Sequence, residues 1–196
     1  MLNKLNTKTL VVLLVALVAA VAIAIMSRDS APTSTLPTHV VDVDSSAIDR
    51  LVIKPTGHES YELIRKSGIW KLKLLDGRLV PVENKSLSNS FSSLLNVAPK
   101  RIVTRKKEKW AGYEVTDSTA VKVLFYTGED LEGGLLIGNV DFNQQTNTMS
   151  NFVRREGESE VFLCEAPLTF DWNKKSSDWR NKTLVQSTTA SITKIT

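Results

Sequence analysis

The strongest concentration of chemistry-bearing side chains is a basic cluster between residues 100 and 109. Its six cations are Lys100, Arg101, Arg105, Lys106, Lys107 and Lys109. The aromatic residue Trp110 follows them directly. Such a cluster can contact anionic lipid headgroups or the acidic surface of a partner protein. Val103 within the cluster indicates a strand that is followed by a basic loop. Lysines at such a position can also protect the edge strand of a sheet from pairing with other chains. The pattern therefore indicates either a contact surface or a charge-protected edge.

Residue types that serve catalysis and metal binding are scarce. The chain has one cysteine and two histidines, and it contains no nucleophile-elbow, zinc-protease or phosphate-loop motif. Cys164 ends an apolar stretch and is interpreted as a buried structural residue, whereas His39 and His58 are expected to be exposed. Asp42 and Asp44 are interpreted as solvated carboxylates rather than a metal pair. We therefore expect no catalytic residue, no cofactor and no metal site.

Trp179 and Arg180 form a further notable pair near the C-terminus. In one interpretation they are exposed and bind a partner. In the other, which we favour, the indole packs on the sheet while Arg180 bonds to backbone carbonyls or to a carboxylate at the sheet edge.

An uninterrupted apolar stretch lies near the N-terminus. Leu10 to Met26 are 17 apolar residues, preceded by Lys4 and Lys8. As a helix they measure roughly 25 Å, close to a hydrocarbon core of about 30 Å. The positive flank predicts a transmembrane signal anchor over residues 9–27, with residues 1–8 cytoplasmic. The alternative is a cleaved signal peptide, against which the length of the run argues.

Small residues mark one face of the predicted anchor. Ala16, Ala20 and Ala24 recur every four residues, which predicts a surface where a second membrane helix can pack closely. The alternative is that alanine is simply frequent in apolar segments.

The remainder of the chain has the composition of an ordinary, rather polar domain. Residues 28–46 include a stretch rich in Ser, Thr and Pro and are interpreted as a linker, so the folded domain is expected to span residues 47–196. With Lys4 and Lys8 set aside, a net charge of +2 remains, which does not favour nucleic-acid binding. A single cysteine excludes an intrachain disulfide.

The outer part of the chain alternates strand and turn signals. Strands are predicted at residues 50–54, 60–66 and 69–74, joined in a meander by turns at Gly57 and Ser67–Gly68. Such a sheet is expected to have one buried and one wet face. Apolar residues then recur at helical spacing and predict a helix from Asn84 to Asn96.

Shorter elements follow this helix. Strands are predicted at 101–105, 120–126, 135–137, 152–155 and 160–163, and a short helix between Pro167 and Trp172. Gly133–Gly134 and Gly138 are interpreted as breaks on either side of the strand 135–137. The predicted fold class is α+β: a transmembrane helix followed by an antiparallel β-rich extracytoplasmic domain with one main amphipathic helix.

Several motifs of this domain resemble a known family. They include Trp70, Pro81-Val82 ahead of the helix, Leu136-Ile137-Gly138 and the ending Trp179-Arg180-Asn181-Lys182-Thr183-Leu184. Over residues 45–196 the chain resembles the bacterial domain-of-unknown-function family 4340, in a short version with one module. The resemblance implies an envelope component associated with ABC-transporter systems of the gliding-motility auxiliary type, and it supplies no catalytic residues.

We therefore expect a non-catalytic accessory subunit, anchored in the bacterial inner membrane with its main domain in the periplasm. Its expected partners are the permease and ATPase subunits of a transporter, and anionic lipid is a further candidate. The alternative is a free-standing periplasmic module that binds a lipid or a polysaccharide. That alternative predicts a sizeable apolar groove between sheet and helix, whereas the accessory subunit predicts a filled core and an external contact patch.

Overall fold

The computed structural model describes residues 36–181 and, in the N-terminal segment, Leu17 alone. The chain divides into two compact units, Met1–Thr35 and Leu36–Thr196. Apart from Leu17, the predicted anchor, with Ala16, Ala20 and Ala24, lies outside the described residues, as does the end of the chain from residue 182. Among the residues that are described, no helix is long and apolar enough to cross a membrane.

Within residues 36–181 nine strands form a single sheet in which every paired neighbour is antiparallel. The sheet order is β4-β3-β2-β1-β6-β7-β8-β9-β5. The strands are β1 (Arg50–Lys54), β2 (Tyr61–Lys66), β3 (Ile69–Lys73), β4 (Leu79–Pro81), β5 (Pro99–Thr104), β6 (Val121–Thr127), β7 (Asp130–Asn143), β8 (Thr148–Arg155) and β9 (Val161–Cys164). The antiparallel, β-rich character and the β1–β3 meander predicted from the sequence are confirmed.

The main core lies on one face of this sheet, beneath two helices. Helix α1 (Asn84–Leu95) buries Leu87, Phe91 and Leu94, and the short helix α2 (Leu168–Trp172) buries its two terminal residues. No side chain caps the start of α1, and its serines are weak helix formers. Burial of its apolar face therefore holds this helix in place.

The opposite face of the sheet carries a second, smaller core. Leu136, Val161 and Val115 are fully buried there, on the side of β7–β9 away from Ile137 and Phe162. The 3-10 helix Lys107–Tyr113 and the residues after it cover this part of the sheet. This part of the sheet is therefore buried on both faces, whereas β1, β2 and β3 alternate buried and more exposed residues, as expected for the meander.

The glycines around residue 135 do not interrupt the strand that contains them. β7 runs without interruption for 14 residues, through Gly133, Gly134 and Gly138, so the predicted short strand 135–137 was wrong. A Cβ on Gly134 would lie 2.5 Å from Leu124 Cδ2. At this position glycine therefore serves close packing inside the sheet rather than a turn.

The folded domain begins earlier than the predicted boundary at residue 47. Val40 is fully buried, and its amide donates a hydrogen bond to the Val97 carbonyl at 2.9 Å. The Arg155 guanidinium Nε donates to the Val40 carbonyl at 2.6 Å. Residues 36–46 are thus packed on the domain, and the linker prediction was wrong for them.

Candidate contact surface at the edge of the sheet

The predicted basic cluster lies at one edge of the sheet. It begins on β5, the last strand in the sheet order, and continues into the 3-10 helix Lys107–Tyr113. This helix stands where the sequence predicted an irregular loop. It ends at Glu114, which adopts the left-handed conformation with φ 57°. β5 is therefore an edge strand, as one of the two interpretations of the cluster expected.

Two of the six cations are neutralised within the domain. Lys100 pairs with Glu165, and Arg105 Nε lies 2.8 Å from Glu160 Oε1. Both acids flank β9, the strand that β5 pairs with. These two cations therefore fasten the edge strand to its neighbour.

The other four cations are exposed, and no carboxylate in residues 36–181 pairs with them. We call them the basic surface: Arg101, Lys106, Lys107 and Lys109. Glu108 lies among them and is also exposed. Lys107 Nζ lies 5.7 Å from the centre of the Trp110 ring. The chemistry open to this surface is recognition of an anionic group.

Trp110 is held down on the domain. Its ring lies over the Arg154 guanidinium at 3.9 Å, and its indole N–H donates to the Ser159 carbonyl at 3.3 Å. Arg154 is only 3% exposed, and burial lowers its pKa. Its guanidinium donates to the carbonyls of Val115 and Glu158, both at 3.0 Å. Trp110 therefore caps a buried arginine, and sequence reasoning could not distinguish this role from that of an exposed anchor.

A charged triad that sequence analysis missed lies beside Arg154. Lys122 Nζ is 2.6 Å from Asp117 Oδ1 and 3.1 Å from the Glu156 carboxylate. The hydrogen bond from Lys122 lowers the pKa of Asp117. Burial opposes the charge on Lys122, but its two carboxylate partners outweigh burial and raise its pKa. Lys122 thus bridges two carboxylates beside the buried arginine.

Trp179 lies in the core, whereas Arg180 is exposed. The Trp179 ring packs 5.7 Å from that of Trp172, and its N–H donates to Tyr61 Oη at 2.6 Å. Arg180 pairs through its backbone with Val82. The interpretation of Trp179 as an exposed binding residue was therefore wrong, and the indole packs on the sheet as the favoured interpretation expected.

Cys164 is fully buried at the end of β9, as its apolar surroundings predicted. His39, in the segment before β1, and His58, in the turn after β1, are both exposed. Asp44 accepts hydrogen bonds from the amide and the hydroxyl of Ser46. In residues 36–181 no group of three or more histidine, cysteine or carboxylate residues is placed to hold a metal ion.

Burial raises the pKa of the Cys164 thiol to about 12. We therefore expect an aromatic disulfide reagent to leave it unmodified in the folded chain at mildly alkaline pH and to modify it fully in denaturant, as absorbance would show. Because the unfolded thiol ionises at lower pH than the buried one, stability falls as the pH rises above the unfolded value. Rapid labelling of the native chain would contradict this placement.

A second exposed surface lies on the β7–β8 hairpin. Phe142 and Met149 are cross-strand partners and are about half exposed. Phe170 on α2 is 61% exposed, and α2 packs against β7. No charged residue occurs from Phe142 to Val153, and this signal could have marked the hairpin in the sequence. Aromatic residues and methionine without charge are typical of protein-contact surfaces.

Fold and surface together define a class: an α+β domain built on one antiparallel sheet, with exposed cations beside an edge strand that no carboxylate in residues 36–181 pairs with. The chain belongs to the family described as Domain of unknown function (DUF4340), whose profile matches residues 70–196. The match begins inside β3, so β1 and β2 complete the sheet from outside the matched range. No curated protein and no solved structure matches the chain.

Proposed function

We propose that this chain is a non-catalytic, membrane-anchored accessory subunit of a bacterial ABC-transporter-type envelope complex. Its domain contacts other subunits on the periplasmic side, and its anchor packs against a permease helix through Ala16, Ala20 and Ala24. The observation that carries the proposal is a filled core between sheet and main helix, combined with exposed cations that no carboxylate in residues 36–181 pairs with. This combination is the one expected of a contact module.

The filled core argues against a ligand between α1 and the sheet. The Phe91 ring lies 6.1 Å from the Trp70 ring and 6.1 Å from the Phe125 ring. Leu87 and Leu94, one turn to either side, are fully buried. A site for an acyl chain needs an apolar cavity, and these side chains occupy the space where one would form. Recognition is therefore assigned to the outer surface.

The test is co-purification of the full-length chain in mild detergent, followed by identification of the proteins that accompany it. We expect a permease and an ATPase with the wild type. Replacing Lys106, Lys107 and Lys109 by Gln is expected to reduce their recovery about tenfold, because each lost charge pair is worth up to about 1 kcal/mol. Ala20→Leu is expected to weaken recovery through the anchor.

The matched control replaces three exposed lysines elsewhere by Gln, with the same change in net charge: Lys54, Lys66 and Lys85. This variant should recover its partners as the wild type does. Equal loss in both variants would mean that total charge, not the basic surface, controls association. Recovery of the chain alone, carrying lipid, would overturn the proposal.

One observation favours the alternative, a lipid- or polysaccharide-binding module. An open cleft of about 530 Å³ lies between residues 41–45, α1 and the β2–β3 turn. Arg65, Ser88 and Ser92 line its rim, and the rings of Trp70 and Phe91 form part of its wall. Both rings are less than a tenth exposed, so the cleft offers a polar entrance and little apolar surface. Mass spectrometry of lipids and glycans extracted from the purified chain would decide whether it is occupied.

A further inference from the structure

We propose that the basic surface receives an acidic, extended segment of a partner protein, which pairs as an additional strand along the outer edge of β5. This inference rests on the proposed function and names the chemistry of the partner's contact. Strand addition to an open edge is a common mode of peptide recognition, in which the backbone gives affinity and side chains give specificity.

Among residues 36–181, the backbone of β5 has a paired strand on one side only. The strand pairs with β9, and no other strand in residues 36–181 lies beyond it. Register shifts at Lys100 and Val103 already interrupt its pairing with β9. Ile102 and Val103 are half-buried, so a strand laid beside them would cover apolar surface in addition to forming backbone hydrogen bonds.

Charge selects the occupant of this edge. Arg101 lies on β5, and the three lysines of the basic surface follow within five residues of the strand's end. A second copy of this chain would bring the same cations to the same edge and be repelled, which is how edge lysines prevent self-association. An acidic strand would instead be attracted, because its carboxylates carry the opposite charge. The same cations therefore repel a second basic edge and attract an acidic one.

A lipid surface fits less well. Surfaces that dock on membranes combine cations with apolar side chains that insert below the headgroups. Among the described residues the exposed large apolar side chains are Leu17, Ile69, Leu75, Leu131, Phe142, Met149 and Phe170, and none of them belongs to residues 99–113. Trp110 is bound to Arg154 and to the Ser159 carbonyl, so it is not free to insert.

The experiment uses the full-length chain in mild detergent and a fluorescent synthetic peptide of alternating Glu and Val, with a Gln/Val peptide as its neutral match. Fluorescence anisotropy should show binding of the acidic peptide that weakens as salt rises. Replacing Lys106, Lys107 and Lys109 by Gln should weaken it about tenfold, while the Lys54, Lys66 and Lys85 control should bind normally. Short-chain phosphatidylglycerol, added as a competitor, should not displace the peptide.

Amide hydrogen exchange distinguishes strand addition from simple charge attraction. Bound acidic peptide should slow exchange of amides in β5, whereas charge attraction through flexible lysine side chains would leave these amides unchanged. Equal binding of both peptides, displacement by the lipid, or binding without protection in β5 would each overturn the inference. Co-purification of transporter subunits is measured separately, so a negative peptide result leaves the proposed function standing on its own test.

Discussion

Replacing Gly138 by alanine is expected to destabilise the domain by at least about 3 kcal/mol, or to prevent its folding. A Cβ at this position would lie 2.0 Å from the Tyr113 carbonyl oxygen and 2.8 Å from Val115 Cγ1. The strand cannot retreat, because the Gly138 carbonyl accepts hydrogen bonds from Asn151 Nδ2 at 3.1 Å and from Thr169 Oγ1 at 3.0 Å.

The opposing backbone cannot give way cheaply either. Glu114 holds the chain in a left-handed turn, with φ 57°, and the Val115 carbonyl accepts the hydrogen bond of the buried Arg154. Moving this segment would leave the Arg154 charge buried with fewer partners, which is costly. A small shift of either segment therefore cannot relieve the clash, and we expect the variant to be less stable.

Denaturant unfolding of the full-length chain, followed by tryptophan fluorescence, measures this effect. Gly112→Ala is the matched control, since nothing lies within 4 Å of its Cβ and its φ is not positive. That control is expected to change the free energy of unfolding by less than about 0.5 kcal/mol. Similar midpoints for the two variants would show that residues 113–115 do not approach β7 as described.

Gly138 also shows where sequence reasoning fails. Periodicity located the β1–β3 meander and α1, because alternation and helical spacing are local properties of the chain. A glycine, in contrast, is equally consistent with a turn and with close backbone approach. The neighbours that decide between them, Tyr113 and Val115, lie more than twenty residues away in the sequence. The break predicted at Gly138 was wrong for this reason.

The same limit applies to the candidate site. The basic cluster could be found from the sequence, because its six cations fall within ten residues. The sequence could not show which of these cations are neutralised, because the paired acids are distant along the chain. Glu160 lies 55 residues from Arg105, and Glu165 lies 65 residues from Lys100. Likewise, Val40 and Val41 have no neighbouring pattern that would mark them as core, so composition alone suggested a linker.

Replacing Trp179 by alanine is expected to destabilise the domain by about 3–5 kcal/mol, since it removes a large, fully packed side chain. Trp179 is 1% exposed, and its carbonyl also accepts the Glu83 amide at the start of α1. Phe170→Ala, in the exposed α2 residue, is the control and should cost less than about 1 kcal/mol. Loss of stability confined to Trp179→Ala would agree with the described core, and comparable losses would contradict it.

A conservative pair of variants separates the packing of Trp179 from its hydrogen bond. Burial raises the pKa of Tyr61, so its hydroxyl stays protonated and donates to the Lys174 carbonyl at 3.0 Å while accepting from Trp179 Nε1. Tyr61→Phe leaves the buried Trp179 N–H and the part-buried Lys174 carbonyl without this partner and is expected to cost about 1–3 kcal/mol. Trp179→Phe keeps an aromatic ring but removes the donor. In a double-mutant cycle the two losses should therefore be non-additive by about 1 kcal/mol, whereas additive losses would mean that the indole acts through packing alone.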